Sequence, residues 1–185
     1  MLLHSLTLLV PPPISPIETG SPNLWDEVET RLGVSLPEDY KLYIDCYGTG
    51  GFNEFLFPYN PFTANEYLNL LYALETHHQA TRATLKKTPD HSWSPVAPFQ
   101  LYPADEGLLP WGTTINFGEI FFWQVSGPAG GWLTIFYNLR NGEHEVFKTS
   151  FSGVLVGLLS RTLESVLLPQ DFPVDRGSIQ FTQFQ

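Results

Sequence analysis

Cys46 stands beside Tyr47 as the chain's one cysteine. To act as a nucleophile its thiol would need an adjacent base and surroundings that favour the thiolate. Its place beside an aromatic stripe favours packing instead, since cysteine is among the most buried residue types. His77 and His78 are adjacent; on a helix such neighbours point about 100° apart, so they do not chelate one ion as an i, i+4 pair does. They read as surface residues, and His4, His91 and His144 are scattered with no motif around them. Gly48-Thr49-Gly50-Gly51 and the Gly127 to Gly131 stretch are glycine-rich but lack both a Walker lysine and the GxGxxG spacing, so they read as turns and not as phosphate cradles. The acidic neighbours Glu38-Asp39, Asp105-Glu106 and Glu143 with Glu145 read as solvated, with no pocket to set one as acid and another as base. The chain therefore predicts no catalytic residue, no metal ligand set, no cofactor and no enzyme.

The elements that would position these groups begin with two helices. Leu24, Trp25, Val28 and Leu32 recur at the spacing of one buried face, with Ser21 as N-cap and Pro22 in the first turn. Gly33 supplies the left-handed residue that ends this helix. Leu36-Pro37-Glu38-Asp39 starts the next, with proline at its first position and two carboxylates at the positive end of the helix dipole. Tyr40, Tyr43, Ile44 and Tyr47 form its apolar stripe and Gly48 stops it. Thr49-Gly50-Gly51 would take the positive φ that turns the chain into one strand, Phe52 to Phe57.

Upstream, Leu2 to Val10 alternates imperfectly and reads as an added edge strand or an apolar arm, followed by a stiff proline-rich connector from Pro11 to Pro22. Downstream, Thr63 and Glu66 fit a capping box and Phe62 with Tyr67 a hydrophobic staple. They predict a helix that buries Tyr67, Leu70, Leu71 and Leu74 and runs to about Leu85, with 77–82 facing solvent, before Thr88-Pro89-Asp90 ends it. Pro95 to Tyr102 is a short strand at best, and 103–107 a loop. A meander follows: Glu119 to Val125, a loop at 127–131, Trp132 to Tyr137, a turn at Arg140-Asn141-Gly142, and Glu143 to Lys148. Alternation puts Phe121 and Trp123 on one side of the sheet and Phe122 on the other. Thr149 or Ser150 caps a last helix whose Phe151, Leu155, Leu158 and Leu159 share a face. Beyond Glu164 the pattern is irregular, which divides the chain into an arm at 1–20, a domain at 21–164 and a C-terminal extension at 165–185.

A chain of 185 residues, 43% of them hydrophobic, is long enough to bury one sizeable core. One cysteine excludes an internal disulfide framework and fits a reducing cytoplasm. Nine basic against 19 acidic residues leave a formal charge of -10. That balance disfavours direct nucleic-acid binding and attracts basic proteins, with solubility alone as the competing reading. Met1 to Val10 has no basic flank or cleavage pattern, so it is not read as a signal peptide, and no stretch approaches the roughly 20 apolar residues of a membrane span.

The order LGVSLPEDYK, YGTGGF and an apolar strand, then GLLPWGTT leading to IFFW and the closing helix, resembles the SUKH superfamily over about 21–163. The residues that carry the resemblance are Trp25, Gly33, Leu36, Pro37, Tyr40, Gly48, Gly50, Gly51, Leu109, Pro110, Trp111, Gly112 and Trp123. The family includes fungal cell-wall-synthesis regulators and many bacterial immunity proteins. It implies an α+β fold, an antiparallel sheet or meander packed with helices on one face. It also implies a non-enzymatic binding protein: an immunity protein that neutralises a cognate protein toxin, a basic nuclease among the candidates, or alternatively an intracellular regulatory scaffold. Glu54, Asp105, Glu106, Asn116 and Glu119 border the sheet and its loops and are the expected toxin-binding residues, while the oligomeric state stays open. Phe117 departs from the family pattern, in which Asn runs directly to Gly and an acid, and so predicts a wider turn before the central strand.

Overall fold

The computed structural model describes residues 2–87, 96, 98–116, 118–173 and 179–184, with backbone alone for Leu2 and 81–87. Among these residues the α-helices are α1 Leu2–Leu9, α2 Pro22–Leu32, α3 Glu38–Tyr47, α4 Leu70–Lys87 and α5 Phe151–Leu159. The strands among them are β1 Gly50–Phe52, β2 Leu56–Pro58, β3 Leu108–Thr114, β4 Glu119–Gln124, β5 Leu133–Asn138, β6 His144–Phe147 and β7 Phe181–Gln183. They form one antiparallel sheet in the order β6-β5-β4-β3-β2-β1-β7. The fold is α+β, as the sequence predicts.

The first helix follows its capping logic. The Ser21 hydroxyl accepts from the Leu24 N–H at 3.4 Å, and Gly33 closes α2 at φ 78°. Trp25, Val28 and Leu32 are buried, but Leu24 is 41% exposed and leaves the predicted face. α3 starts one residue after Pro37, which acts as its cap through its carbonyl. Asp39, expected to serve its own helix, instead accepts from the Ser152 N–H at 2.8 Å and so neutralises the start of α5. The Ser150 hydroxyl accepts from the Gly153 N–H beside it.

One face of the sheet, carrying Leu109, Trp111, Phe121, Trp123 and Phe136, packs on α1, α2, α3 and α5. The other, carrying Leu108, Ile120, Phe122, Ile135 and Tyr137, is covered by Val96, Leu101 and Phe99, with His77 of α4 against Phe122. Trp111 is the extra residue of a β-bulge between Pro110 and Gly112. The bulge turns its ring into the helix-covered core and accommodates a proline inside a strand.

Several expectations are corrected. Leu2 to Val10 is not an edge strand but holds the helix α1, whose Leu6 is fully buried and which packs on α5 and α3. Phe52 to Phe57 is a hairpin. The positive φ falls on Asn53 and Glu54, at 51° and 52°, and the glycines serve close approach instead. A Cβ on Gly50 would lie 2.3 Å from the Thr182 carbonyl oxygen, and one on Gly51 would meet the Phe57 ring at 2.5 Å.

The middle helix begins at Leu70, not Thr63. Thr63 and Asn65 spend their side chains on the Asn65 and Tyr67 N–H groups, and Asn69 caps the helix by accepting from Leu71 and Tyr72. Local side-chain bonds of this kind compete with helix in the preceding segment. Tyr67 accordingly leaves the staple and is 72% exposed. His77 and His78 are only partly exposed, His77 with its ring against Phe122 of the sheet and His78 beside the Tyr102 carbonyl, not turned to solvent as the sequence predicts. Ser178 and the helix stop at 88–90 lie outside the described residues, as do His91 and Phe117, but the tail supplies β7, hydrogen-bonded along β1.

Candidate functional site

The acidic residues singled out in the sequence fall at two ends of the sheet. Glu54 is exposed in the β1–β2 turn. The Ile115 N–H donates to the Phe55 carbonyl at 2.9 Å, which brings that turn against the β3–β4 turn holding exposed Asn116. Glu119 opens β4 at this same end. Its carboxylate accepts from the Thr114 hydroxyl at 2.8 Å and the Asn138 amide at 3.2 Å, so it braces strand ends as well as carrying charge. Asp105 and Glu106, both exposed, precede β3 at the far end, where the Gly107 carbonyl accepts from Val125. The 7 residues of β3 separate the two groups by roughly 20 Å.

The other chemical candidates have structural roles. Burial pushes the Cys46 thiol up, opposite to what a nucleophile needs. Burial, with neighbouring His78, brings His77 down from 6.5 to about 4, so it packs as a neutral ring on Phe122. His78 Nε2 lies 2.6 Å from the Tyr102 carbonyl oxygen. Among the described residues no group of three histidine, cysteine or carboxylate side chains is placed to hold a metal ion, and no helix is long and apolar enough to cross a membrane.

The residues of the sequence signature are built into the framework. Trp25 Nε1 donates to Asp45 at 3.2 Å and its ring meets Tyr40 and Phe62 edge-on. Leu36, Leu109, Trp111 and Trp123 are buried in the same core. Gly48, at φ 68°, passes so close to Ile17 that a Cβ would lie 2.0 Å from its carbonyl oxygen, and Gly112 crosses under Phe57.

Sequence reasoning missed an apolar groove of about 350 Å3 on the second face of the sheet, lined chiefly by Phe57, Tyr67, Leu68, Thr113, Ile115 and Phe184. Tyr67 and Ile115, at 72% and 50% exposure, form its open edge. No sequence signal marked it, because Tyr67 fits a buried staple by spacing and Phe184 comes from a tail with no periodicity. A larger cleft of about 530 Å3 follows α5, but the Arg161 guanidinium there is spent on the carbonyls of Asp171 and Pro173.

An antiparallel sheet whose first strand in chain order lies in the GTGGF segment, after a helix opened by LPEDY, with its acids displayed on end loops, defines an α+β domain of the SUKH superfamily. The family model described as SMI1-KNR4 cell-wall, SUKH_6, matches residues 22–153, and the chain belongs to this family. A comparison with curated proteins finds no match. The matched range leaves out α1, most of α5 and β7.

Proposed function

We propose that this chain is a non-enzymatic protein-binding module, an immunity protein that neutralises a cognate bacterial toxin in the cytoplasm by stoichiometric binding. The observation that carries the reading is the acid excess, a formal charge of -10, with Glu54, Asp105, Glu106 and Asn116 all exposed on loops at the sheet ends. Such a field steers a basic protein into encounter and repels nucleic acid and anionic lipid surfaces. A nuclease toxin must present a basic substrate-binding surface, on which these carboxylates would stand in for phosphates. Glu54, Asp105, Glu106, Asn116 and Glu119 are the proposed contact residues.

Co-expression with a toxin encoded by a neighbouring gene tests this: protection and a one-to-one complex are expected, and the absence of both would overturn the reading. A second reading, a regulatory scaffold, is favoured by the cell-wall description of the matched family. Several partners in a pull-down, with no toxin among them, would select it.

A further inference from the structure

From the second-face groove we infer a docking site for a basic protein segment that inserts one large aromatic or aliphatic side chain between flanking lysines or arginines. Phe57 and Thr113 are cross-strand partners on β2 and β3, and they make the floor. Tyr67 and Leu68 make one wall and Phe184 the other, its ring 5.6 Å from that of Phe57.

The walls are set before anything binds. The Thr63, Asn65 and Asn69 side chains tie the 61–68 segment to itself, and the Phe184 N–H donates to the Thr49 carbonyl. A preformed groove spares a ligand the cost of ordering it.

Charge selects the occupant. Among the described residues no basic side chain lines the groove. Exposed Glu66 sits between the lining residues Asn65 and Tyr67, exposed Glu54 follows from the turn bonded to Ile115, and the Glu18 carboxylate accepts from the Ala64 N–H behind the wall. Among the described residues the Arg140 guanidinium lies over Gly118, three positions on from Ile115. An apolar centre with an acidic rim matches the usual anatomy of an interface hot spot, and its complement is an apolar anchor among basic groups.

The inference rests on the binding-module reading only in taking the partner to be a protein. The test records amide spectra of the full chain by NMR against three synthetic peptides: Lys-Arg-Lys-Trp-Lys-Arg-Lys, the same peptide with Ser for Trp, and Glu-Asp-Glu-Trp-Glu-Asp-Glu. Saturable shifts confined to Tyr67, Leu68, Thr113, Ile115 and Phe184 are expected with the first peptide alone, at an affinity at least roughly tenfold above the other two. Tyr67→Ala and Ile115→Ala, both at exposed positions, should each weaken it about fivefold or more with an unchanged circular dichroism spectrum.

Equal binding of all three peptides, shifts elsewhere, or concentration-dependent shifts of these amides without peptide would overturn the proposal, the last by assigning the groove to a second copy. A toxin complex that forms and is indifferent to Tyr67→Ala and Ile115→Ala would sink the groove while the immunity reading stood. Seating of the basic peptide with no toxin protection would do the reverse.

Discussion

Three tyrosines on α3 show how much a residue's partner matters beyond its burial. Tyr40, Tyr43 and Tyr47 are each 0% exposed. The Tyr40 hydroxyl donates to the Tyr59 carbonyl and that of Tyr47 to the Val10 carbonyl, both at 2.6 Å, whereas the Tyr43 hydroxyl is buried with no partner among the described residues. Their sequence spacing gives the buried face but not these different ends. Removing a bonded buried hydroxyl leaves its acceptor unsatisfied, so Tyr40→Phe should lower stability by about 1–2 kcal/mol in a urea titration. Tyr43→Phe removes only an unsatisfied polar atom and should be neutral or slightly stabilising in the same assay.

At the scale of elements, α1 and α4 were the segments whose local pattern misled. Leu6 and Leu8 would share a face in a strand, but in α1 Leu6 is fully buried and Leu8 is 73% exposed. Leu6→Ala should therefore cost about 2–4 kcal/mol, while Leu8→Ala should stay within roughly 0.5 kcal/mol. Equal costs would restore the strand. On α4, His77 carries its proton only below about pH 4 in the fold, against 6.5 ordinarily. Between these values the unfolded chain binds more protons, so the folded state loses stability as pH falls from about 6.5 towards 4. His77→Gln should flatten that part of the profile when unfolding free energies of the two proteins are compared at each pH.

Across the whole molecule, the termini complete what the middle begins: α1 joins the helix-covered core and β7 completes the sheet. The acid excess acts at this scale too, because its field is a sum over exposed loops at both ends. Reversing Asp105 and Glu106 to lysine should slow association with a basic partner several-fold at low salt, with the difference shrinking as ionic strength rises. Stopped-flow rates independent of both changes would remove these residues from the contact surface. The capped helices α2, α3 and α5, the aromatic alternation of β4, the family and the charge are all legible in the chain's residues alone, because capping, periodicity and composition act within a few residues or add over the whole chain. Packing in three dimensions settles that the amino-terminal segment is helical, that Asp39 caps α5 across 113 positions, that the glycines at 50 and 51 make room for Thr182 and Phe57, and that Tyr67, Ile115 and Phe184 meet in one groove. Each of these depends on which distant segment lies alongside, and contacts between residues far apart in the chain leave no period to read.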